Sequence, residues 1–421
     1  MFFDSLQDWL LWQESFHPRS IDLGLERVSR VYVELNSEIK KIPTITVAGT
    51  NGKGSCVAFL EAIYRAQGYR VGAYTSPHIL KYNERIKISG QSVSDAVVCE
   101  AFARIEAVRN GISLSYFEFG TLAALDIFQR AEVDVQLLEV GLGGRLDAVN
   151  IVDPNVAIVT SICIDHADWL GETREAIAHE KAGIFRRNVL AVIGDSQPPE
   201  ALRRCAEKVG TPLWFLGNEF SYQKYADHWD WFGEKRRLSK LPGPALKGEH
   251  QYRNASAVLA AVLNMQDLLP VSDASIRQGL ENTHLMGRFQ LIDGEIPILL
   301  DVAHNPQAVR NLVEYLHLEF PGQRKHAIFS MMCDKDISGV VDIMKPEIDN
   351  WFITPLENPR STAEKVMREI FSQSAVSNAR FGFAGFAETF AAAQNIAEPG
   401  DLILLFGSFF LVSEYLAHIG R

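Results

Sequence analysis

Two patterns of apolar residues alternate along the chain. Short runs of aliphatic and β-branched residues between glycines or polar residues predict buried strands, and longer stretches with apolar residues at helical spacing predict helices. Their alternation predicts an α/β fold, in which helices cover a mostly parallel sheet. The predicted strands lie at 45–47, 69–74, 134–140, 155–161, 189–193, 296–300, 326–331, 351–355, 379–383 and 402–406.

The predicted elements fall into two series, with a boundary in the glycine-containing stretch near residue 286. We therefore expect a P-loop-type, mostly parallel sheet domain over 1–285 and a smaller, Rossmann-like α/β domain over 286–421. Residues 79–88 are predicted as an irregular loop and 215–238 as hairpins. The predicted helices are 5–15, 56–67, 200–208 and 248–265, with a further helix opening at 115–118.

Charge and composition exclude several classes of function. The 41 Lys and Arg against 52 Asp and Glu give a net charge of −11, so we expect no broad basic surface for nucleic acid. The N-terminus carries Asp4 and Asp8 and lacks the basic and apolar regions of a signal peptide, and the apolar run 402–412 is too short to span a bilayer. The five cysteines include no C-x-x-C pair, which favours a reducing cytosol. We expect a cytoplasmic protein, a monomer, with no nucleic-acid or membrane partner.

Residues 43–68 form the pattern strand, glycine loop, helix, which is typical of a phosphate site. Glycines let main-chain N–H groups turn toward phosphate, and the following helix adds its positive end. Lys53 can reach the β- and γ-phosphates, although the P-loop spacing is not met because Gly54 separates Lys53 from Ser55. A glycine turn of an ordinary α/β protein is the alternative. The candidate phosphate-binding residues are Thr50, Asn51, Gly52, Lys53, Gly54 and Ser55.

Polar side chains at the carboxyl ends of predicted strands suggest a metal site. Ser76 lies just past one such strand and Glu139 lies near the end of another, where α/β sheets bind ligands and Mg²⁺ is often held. A Ser-Pro turn and a chance acidic strand end are the alternatives. His166, beyond a third strand, could ligate a second metal, while a lone histidine is usually structural.

Other candidates have equally plausible structural roles. Ser115, Tyr116, Phe117 and Glu118 could grip a flat ring, or could simply be core and cap. Asn254 could face a nucleotide or cap a helix. In the second domain, Asp301, His304, Lys335 and Ser408 lie at strand ends, where any one of them could be a cap.

Seven motifs occur in the order found in the Mur ligases and the folate ligases related to them, and together they span most of the chain. The sequence therefore resembles that family of ATP-dependent, amide-forming enzymes. The motifs are GTNGKGS, TSPH, LEVGLGGRLDA, DHADWLG, EKAGI, GRFQ and DVAHNP.

The resemblance implies a role for each matching residue. Ser76 and Glu139 would bind one Mg²⁺, while His166 and Lys181, carbamylated by CO₂, would support a second; by itself Lys181 reads as a solvated helix lysine. Asn254, Arg288 and Asp301 match ATP contacts, and Lys335 and Ser408 resemble positions that hold the incoming amino acid. Lys53, Lys181 and His304 are the expected catalytic residues. The implied pteroate pocket comprises Asp22, Leu23, Gly24, Ser115, Tyr116, Phe117, Glu118, Leu146, Asp147 and Ala148.

The implied reaction is the ATP-dependent addition of L-glutamate to dihydropteroate, forming dihydrofolate, and to tetrahydrofolate and its polyglutamates, through an acyl phosphate. Three alternatives remain: a muramyl peptide ligase, a folylpolyglutamate synthase without the dihydropteroate activity, and a nucleotide switch that hydrolyses ATP or GTP to regulate a partner. The last leaves DVAHNP and the second α/β domain unexplained.

Overall fold

The computed structural model describes residues 3–17, 22–35, 40–234 and 236–420. Contacts divide the chain into two units, one within Met1–Ala245 and Tyr252–His284, the other within Leu246–Gln251 and Leu285–Arg421. Each unit has its own sheet, so the α/β fold with a smaller second sheet domain is confirmed. Among the described residues, no helix combines the length and apolar character needed to cross a membrane.

The sheet of the first unit has eight strands in the order β4-β3-β2-β5-β1-β6-β7-β8. The neighbours from β2 to β8 are parallel, while β3 and β4 extend the sheet as an antiparallel edge. The central strands are buried along their whole length, as is typical of parallel strands covered on both faces. The strands are β1 (Thr44–Ala48), β2 (Val71–Tyr74), β3 (Ile86–Ile88), β4 (Gln91–Ser92), β5 (Val135–Glu139), β6 (Val156–Val159), β7 (Leu190–Ile193) and β8 (Leu213–Phe215).

Helices and a small second sheet complete this unit. The described helices are α1 (Leu6–Phe16), α2 (Glu26–Leu35), α3 (Lys53–Gln67), α4 (Asp95–Val108), α5 (Tyr116–Arg130), α6 (Ala167–Leu170), α7 (Arg174–Lys181), α8 (Glu200–Val209), α9 (His250–Asn264) and α10 (Asp273–Glu281). The predicted hairpins form an antiparallel sheet of β9 (Phe220–Lys224), β10 (Trp229–Gly233) and β11 (Arg237–Leu241). Short 3₁₀ helices occupy Tyr82–Arg85, Ala148–Ile151 and Ala182–Ile184.

The second unit is a six-stranded sheet in the order β12-β13-β17-β14-β15-β16. All pairs are parallel except the β12–β13 edge. Its strands are β12 (Gln290–Ile292), β13 (Ile298–Leu300), β14 (Lys325–Phe329), β15 (Asn350–Ile353), β16 (Ala379–Arg380) and β17 (Leu402–Phe406). Its helices are α11 (Pro306–Glu319), α12 (Ile337–Met344), α13 (Glu364–Gln373), α14 (Phe386–Gln394) and α15 (Phe409–His418).

Three local predictions are corrected. The helix predicted from residue 56 begins at Lys53, so the glycine loop runs directly into its first turn. The predicted loop 79–88 contains a 3₁₀ turn and β3, which pairs antiparallel with β2. Asn254 lies a full turn inside α9, so it cannot be the N-terminal cap of that helix.

Candidate nucleotide site and an adjoining polar pocket

The glycine loop joins the buried strand β1 to helix α3. Gly49 and Gly52 have φ values of 147° and 89°, which L side chains rarely adopt. A Cβ on Gly49 would overlap Thr160 Oγ1, so only glycine permits this close approach. The loop therefore packs closely against the residues at the end of β6, and α3 begins at Lys53.

Residues beyond β6 fix the loop from its other side. The Thr50 N–H donates to the Ser161 carbonyl oxygen at 2.7 Å, and Thr160 Oγ1 donates to the Asn51 carbonyl oxygen, also at 2.7 Å. Thr50 Oγ1 donates to the Cys163 carbonyl oxygen and accepts from the Cys163 N–H, both at 3.1 Å. These bonds fix the conformation of the loop.

Two lysine amines converge on the loop. Lys53 Nζ donates to the carbonyl oxygens of Gly49 and Thr50, each at 3.1 Å. Lys181 Nζ donates to the same Gly49 oxygen at 2.8 Å and is only 4% exposed. Burial, with a smaller effect from the Lys53 cation, lowers the pKa of Lys181 to about 7. The expectation of a solvated Lys181 from the residues alone is therefore wrong.

Ser76 and Glu139 are brought together because β2 and β5 are parallel neighbours. The Ser76 N–H donates to Glu139 Oε2 at 3.1 Å, and the carboxylate is buried at the strand end. His166 opens α6 with a φ of 52°, and its N–H donates to Asp165 Oδ1 at 2.9 Å. Within the described ranges, no three or more His, Cys, Asp or Glu side chains converge on a metal position. Mg²⁺ commonly binds through one or two carboxylates and completes its shell with phosphate and water oxygens, so the buried Glu139 carboxylate next to Ser76 fits it.

Asn254 approaches the glycine loop from α9. A Cβ added to Gly52 would lie 2.6 Å from Asn254 Oδ1. The carboxamide therefore stands against the loop at the beginning of α3. Ser55 is buried in the first turn of that helix.

The three segments assigned to the pteroate pocket also meet. The Gly24 N–H donates to the Leu146 carbonyl oxygen at 3.2 Å. Arg27 links the other two segments, since its guanidinium contacts Asp22 Oδ2 at 2.8 Å and Glu118 Oε1 at 3.1 Å. These contacts create a polar cluster between α2, α5 and the turn after β5.

The start of α5 combines a helix cap with aromatic packing. Glu118 Oε2 accepts from the Ser115 N–H at 2.7 Å, and Ser115 Oγ accepts from the Glu118 N–H at 3.3 Å, so the two form a capping box. The Tyr116 ring lies 5.7 Å from the Tyr82 ring, and the Phe117 ring lies 5.9 Å from the Tyr74 ring. Capping and aromatic packing thus coexist in this stretch.

Asp147 is the buried acid of the turn after β5. It accepts from the Leu142 N–H at 2.8 Å and the Val149 N–H at 3.0 Å. Burial raises its pKa to about 6, although these N–H groups oppose the shift. Leu23 is half-buried, while Ala148 is buried at the start of a 3₁₀ helix.

In the second unit, Asp301 follows β13 and is buried. It accepts from the Phe289 N–H at 3.1 Å and the Ala303 N–H at 2.8 Å, and burial raises its pKa to about 6. The Arg288 guanidinium lies 5.0 Å from the Phe409 ring centre, and the His304 ring lies 6.0 Å from it. Arg288 and His304 therefore both lie next to the Phe409 ring.

Lys335 and Ser408 occupy other strand ends of the same unit. The Lys335 N–H donates to the Met332 carbonyl oxygen at 3.2 Å. Ser408 is the N-terminal cap of α15, accepting from the Leu411 N–H at 3.1 Å. Ser408 is therefore a helix cap, as the sequence allowed, and its binding role stays a prediction.

Sequence reasoning missed four residues that organise these sites. Thr160 and Cys163 hold the glycine loop, while His17 and Arg27 hold Asp22. Thr160 could have been found from its place at the end of a strand next to β1. The two residues around Asp22 have no comparable signal, because Arg27 also contacts Glu118 and His17 also contacts Ser113, which are both distant in sequence.

The parallel sheet, the glycine loop and its lysine define a P-loop-type nucleotide-binding protein. The chain belongs to the Mur ligase family: the family's middle domain matches residues 47–262 and its glutamate ligase domain matches residues 287–409.

Full-length relatives agree with this assignment. The chain is 41% identical over 413 residues to the dihydrofolate synthase/folylpolyglutamate synthase of Escherichia coli K12, covering 98% of this chain and 94% of that protein. It superposes with a TM-score of 0.93, at 40% identity, on E. coli FolC in complex with DHPP and ADP, covering 99% and 98% of the two chains.

A second solved structure is a bifunctional folylpolyglutamate synthase/dihydrofolate synthase with Mn, AMPPNP and L-glutamate bound. It matches with a TM-score of 0.91 and 41% identity, covering 99% of this chain and 98% of that one.

Proposed function

We propose that this chain is an ATP-dependent ligase that joins L-glutamate to dihydropteroate and to tetrahydrofolate and its polyglutamates. The observation that carries the proposal is the similarity over 98% of the chain to a protein with both named activities. The relatives' complexes with DHPP, a nucleotide and L-glutamate support the three substrate classes.

The glycine loop is the proposed ATP phosphate site. Thr50 to Ser55 would surround the phosphates, while Lys53 would release its two main-chain acceptors and neutralise the γ-phosphoryl group. Asn254 would contact the nucleotide, and its position against Gly52 supports this assignment. Arg288, Asp301 and His304 would supply the second unit's groups for the reaction.

A divalent ion fits the Ser76–Glu139 pair, and we assign it as Mg²⁺. When bound, it would neutralise charge on the transferring phosphoryl group. We assign a second ion to His166 and carbamylated Lys181. The buried amine supports carbamylation, because a pKa of about 7 leaves much of it neutral and nucleophilic toward CO₂. The product is an anion, which would also remove the unfavourable proximity of two lysine cations.

The pteroate substrate is assigned to the cluster of the 22–24, 115–118 and 146–148 segments. The contacts of Gly24 with Leu146, and of Arg27 with Asp22 and Glu118, support a single pocket. We propose that residues 1–285 bind ATP and pteroate and that 286–421, with Lys335 and Ser408, binds glutamate. We also propose a cytoplasmic location, since five free cysteines are typical of a reducing compartment, and, separately, a monomeric state.

The chemistry follows from the weak electrophilicity of a carboxylate. One substrate carboxylate oxygen attacks the γ-phosphorus of ATP, giving an acyl phosphate and ADP. The glutamate nitrogen then attacks the acyl carbon and loses a proton, and phosphate leaves with the former carboxylate oxygen. Lys53 counters charge in the first step, where its electrostatic stabilisation lowers the barrier.

The test is phosphate release from ATP–Mg²⁺ with and without dihydropteroate and L-glutamate, then with tetrahydrofolate in place of dihydropteroate. Release that requires both partners in each case supports the dual ligase. Release that occurs with tetrahydrofolate and L-glutamate, but not with dihydropteroate and L-glutamate, would reduce the proposal to a folylpolyglutamate synthase. Phosphate release that depends on neither the pteroate-type substrate nor L-glutamate would overturn the proposal and favour a nucleotide switch.

A further inference from the structure

Arg27 occupies an unusual position between two carboxylates from distant parts of the chain. Its Nη1 lies 2.8 Å from Asp22 Oδ2, and its Nη2 lies 3.1 Å from Glu118 Oε1. Nη2 also donates to the Asp22 carbonyl oxygen at 3.0 Å. One planar guanidinium therefore holds the main chain and the side chain of Asp22 as well as the first turn of α5.

The geometry suits arginine in particular. Its donors are fixed in a plane and can serve separate acceptors at once, whereas a lysine ammonium is a single point charge. The Glu118 carboxylate is buried and Asp22 is half-buried, so without a cation the two acids would repel each other in a poorly solvated region. Arg27 therefore holds together Asp22 and Glu118, whose mutual repulsion would otherwise push their two segments apart.

The segment from Asp22 to Leu25 has no helix or strand of its own. Its described anchors include the Arg27 contacts, the Gly24–Leu146 bond and the contact of His17 Nε2 with Asp22 Oδ2 at 3.1 Å. His17 Nδ1 in turn contacts Ser113 Oγ at 2.8 Å. Arg27 is the anchor that connects this segment to Glu118, and hence to Tyr116 and Phe117.

We propose that Arg27 is a positioning residue for the pteroate substrate, setting the separation between the 22–25 segment and the start of α5. This inference rests on the proposed function, which places the substrate ring among those segments. Arg27 acts through Asp22 and Glu118, and its contacts with the described residues include none of the glycine loop, so we expect ATP binding to be independent of it.

The test compares Arg27→Ala and Arg27→Lys with wild type. Dissociation constants for dihydropteroate and for ATP are measured separately by calorimetry, together with KM for each substrate, kcat and the melting temperature. Arg27→Ala loses hydrogen bonds to charged groups. We therefore expect the dissociation constant and the KM for dihydropteroate to rise about tenfold or more, with the dissociation constant for ATP unchanged. Arg27→Lys should show a smaller rise, because it keeps the charge without the fork.

Arg104→Ala is the matched control. Arg104 Nε donates to Asp126 Oδ1 at 3.0 Å. When Arg104 is removed, the buried Asp126 still has Arg130 as a donor. In the same way, Glu118 still has the Ser115 N–H as a donor when Arg27 is removed. This variant should leave both dissociation constants unchanged, which separates Arg27 from the general loss of an arginine–carboxylate pair.

If folded Arg27→Ala binds dihydropteroate as tightly as wild type does, the inference is overturned. Equal losses of affinity for ATP and for dihydropteroate would also overturn it. If Arg27→Ala does not fold, the decision rests on Arg27→Lys, and wild-type dihydropteroate affinity in that variant would contradict the proposal. A wild-type protein that binds ATP but never dihydropteroate would instead refute the proposed function. The two failures are therefore distinct.

Discussion

The buried amine of Lys181 gives a stability prediction with a defined pH dependence. Lys181→Met removes the charge while keeping an unbranched side chain of similar length. The Gly49 carbonyl oxygen keeps Lys53 as a donor after the change. We therefore expect Lys181→Met to be more stable than wild type in CO₂-free buffer, most strongly in acid.

The magnitude follows from the two pKa values of Lys181. Burial lowers the pKa from 10.5 to about 7 in the folded chain. Between these values the unfolded state binds more protons, so the wild type gains stability as pH rises. At 1.36 kcal/mol per pKa unit, the buried cation destabilises wild type by about 5 kcal/mol near pH 6 and by roughly 1 kcal/mol near pH 9.5.

The assay is urea unfolding of both proteins at these two pH values, with exposed Lys208→Met as the control. The advantage of Lys181→Met over wild type should shrink by several kcal/mol as pH rises, whereas the control difference should stay flat. An advantage that does not change with pH would refute the buried cation. Added bicarbonate should then stabilise only proteins that retain Lys181, if that amine is carbamylated.

Three further changes test separate parts of the structure. Lys53→Ala should abolish turnover while leaving the melting temperature within a few degrees of wild type, because the lysine neutralises phosphoryl charge; near-normal kcat would contradict its role. Gly52→Ala should weaken ATP binding at least tenfold in calorimetry, because the φ of 89° is strained for alanine and the new Cβ meets Asn254; unchanged affinity would show that the loop adapts. Gln13→Met should raise the free energy of unfolding by about 1–3 kcal/mol, because the Gln13 carboxamide is 1% exposed and has no hydrogen-bond partner among the described residues; a loss of stability would indicate a partner such as buried water.

Local patterns predicted the central strands well because burial on both faces leaves nearly continuous apolar runs. The sequence at 402–406 gave the same limits as β17, and the strand at 45–47 differed from β1 by one residue at each end. The short edge strands β4 and β12 were missed. Their residues are partly exposed, so pairing with a neighbour defines them more than their own composition does.

The candidate site divides in the same way. The glycine loop was visible because its chemistry is contiguous in sequence, and the Ser76–Glu139 contact followed from both residues lying at strand ends. The burial of Lys181 was not visible, since a helix containing Glu180 and Lys181 also fits a solvated surface. Arg27 was missed because its importance depends on Glu118, which reaches it only through tertiary packing.

The most direct test of the central claim follows one atom through the reaction. Dihydropteroate carrying a heavy oxygen isotope in its carboxylate is incubated with the protein, ATP–Mg²⁺ and L-glutamate, and the products are analysed by mass spectrometry. The account predicts dihydrofolate, ADP and inorganic phosphate that has gained one labelled oxygen per turnover. Unlabelled phosphate accompanying amide formation, or label appearing in AMP, would contradict the acyl phosphate route, and the absence of any amide product would contradict the ligase itself.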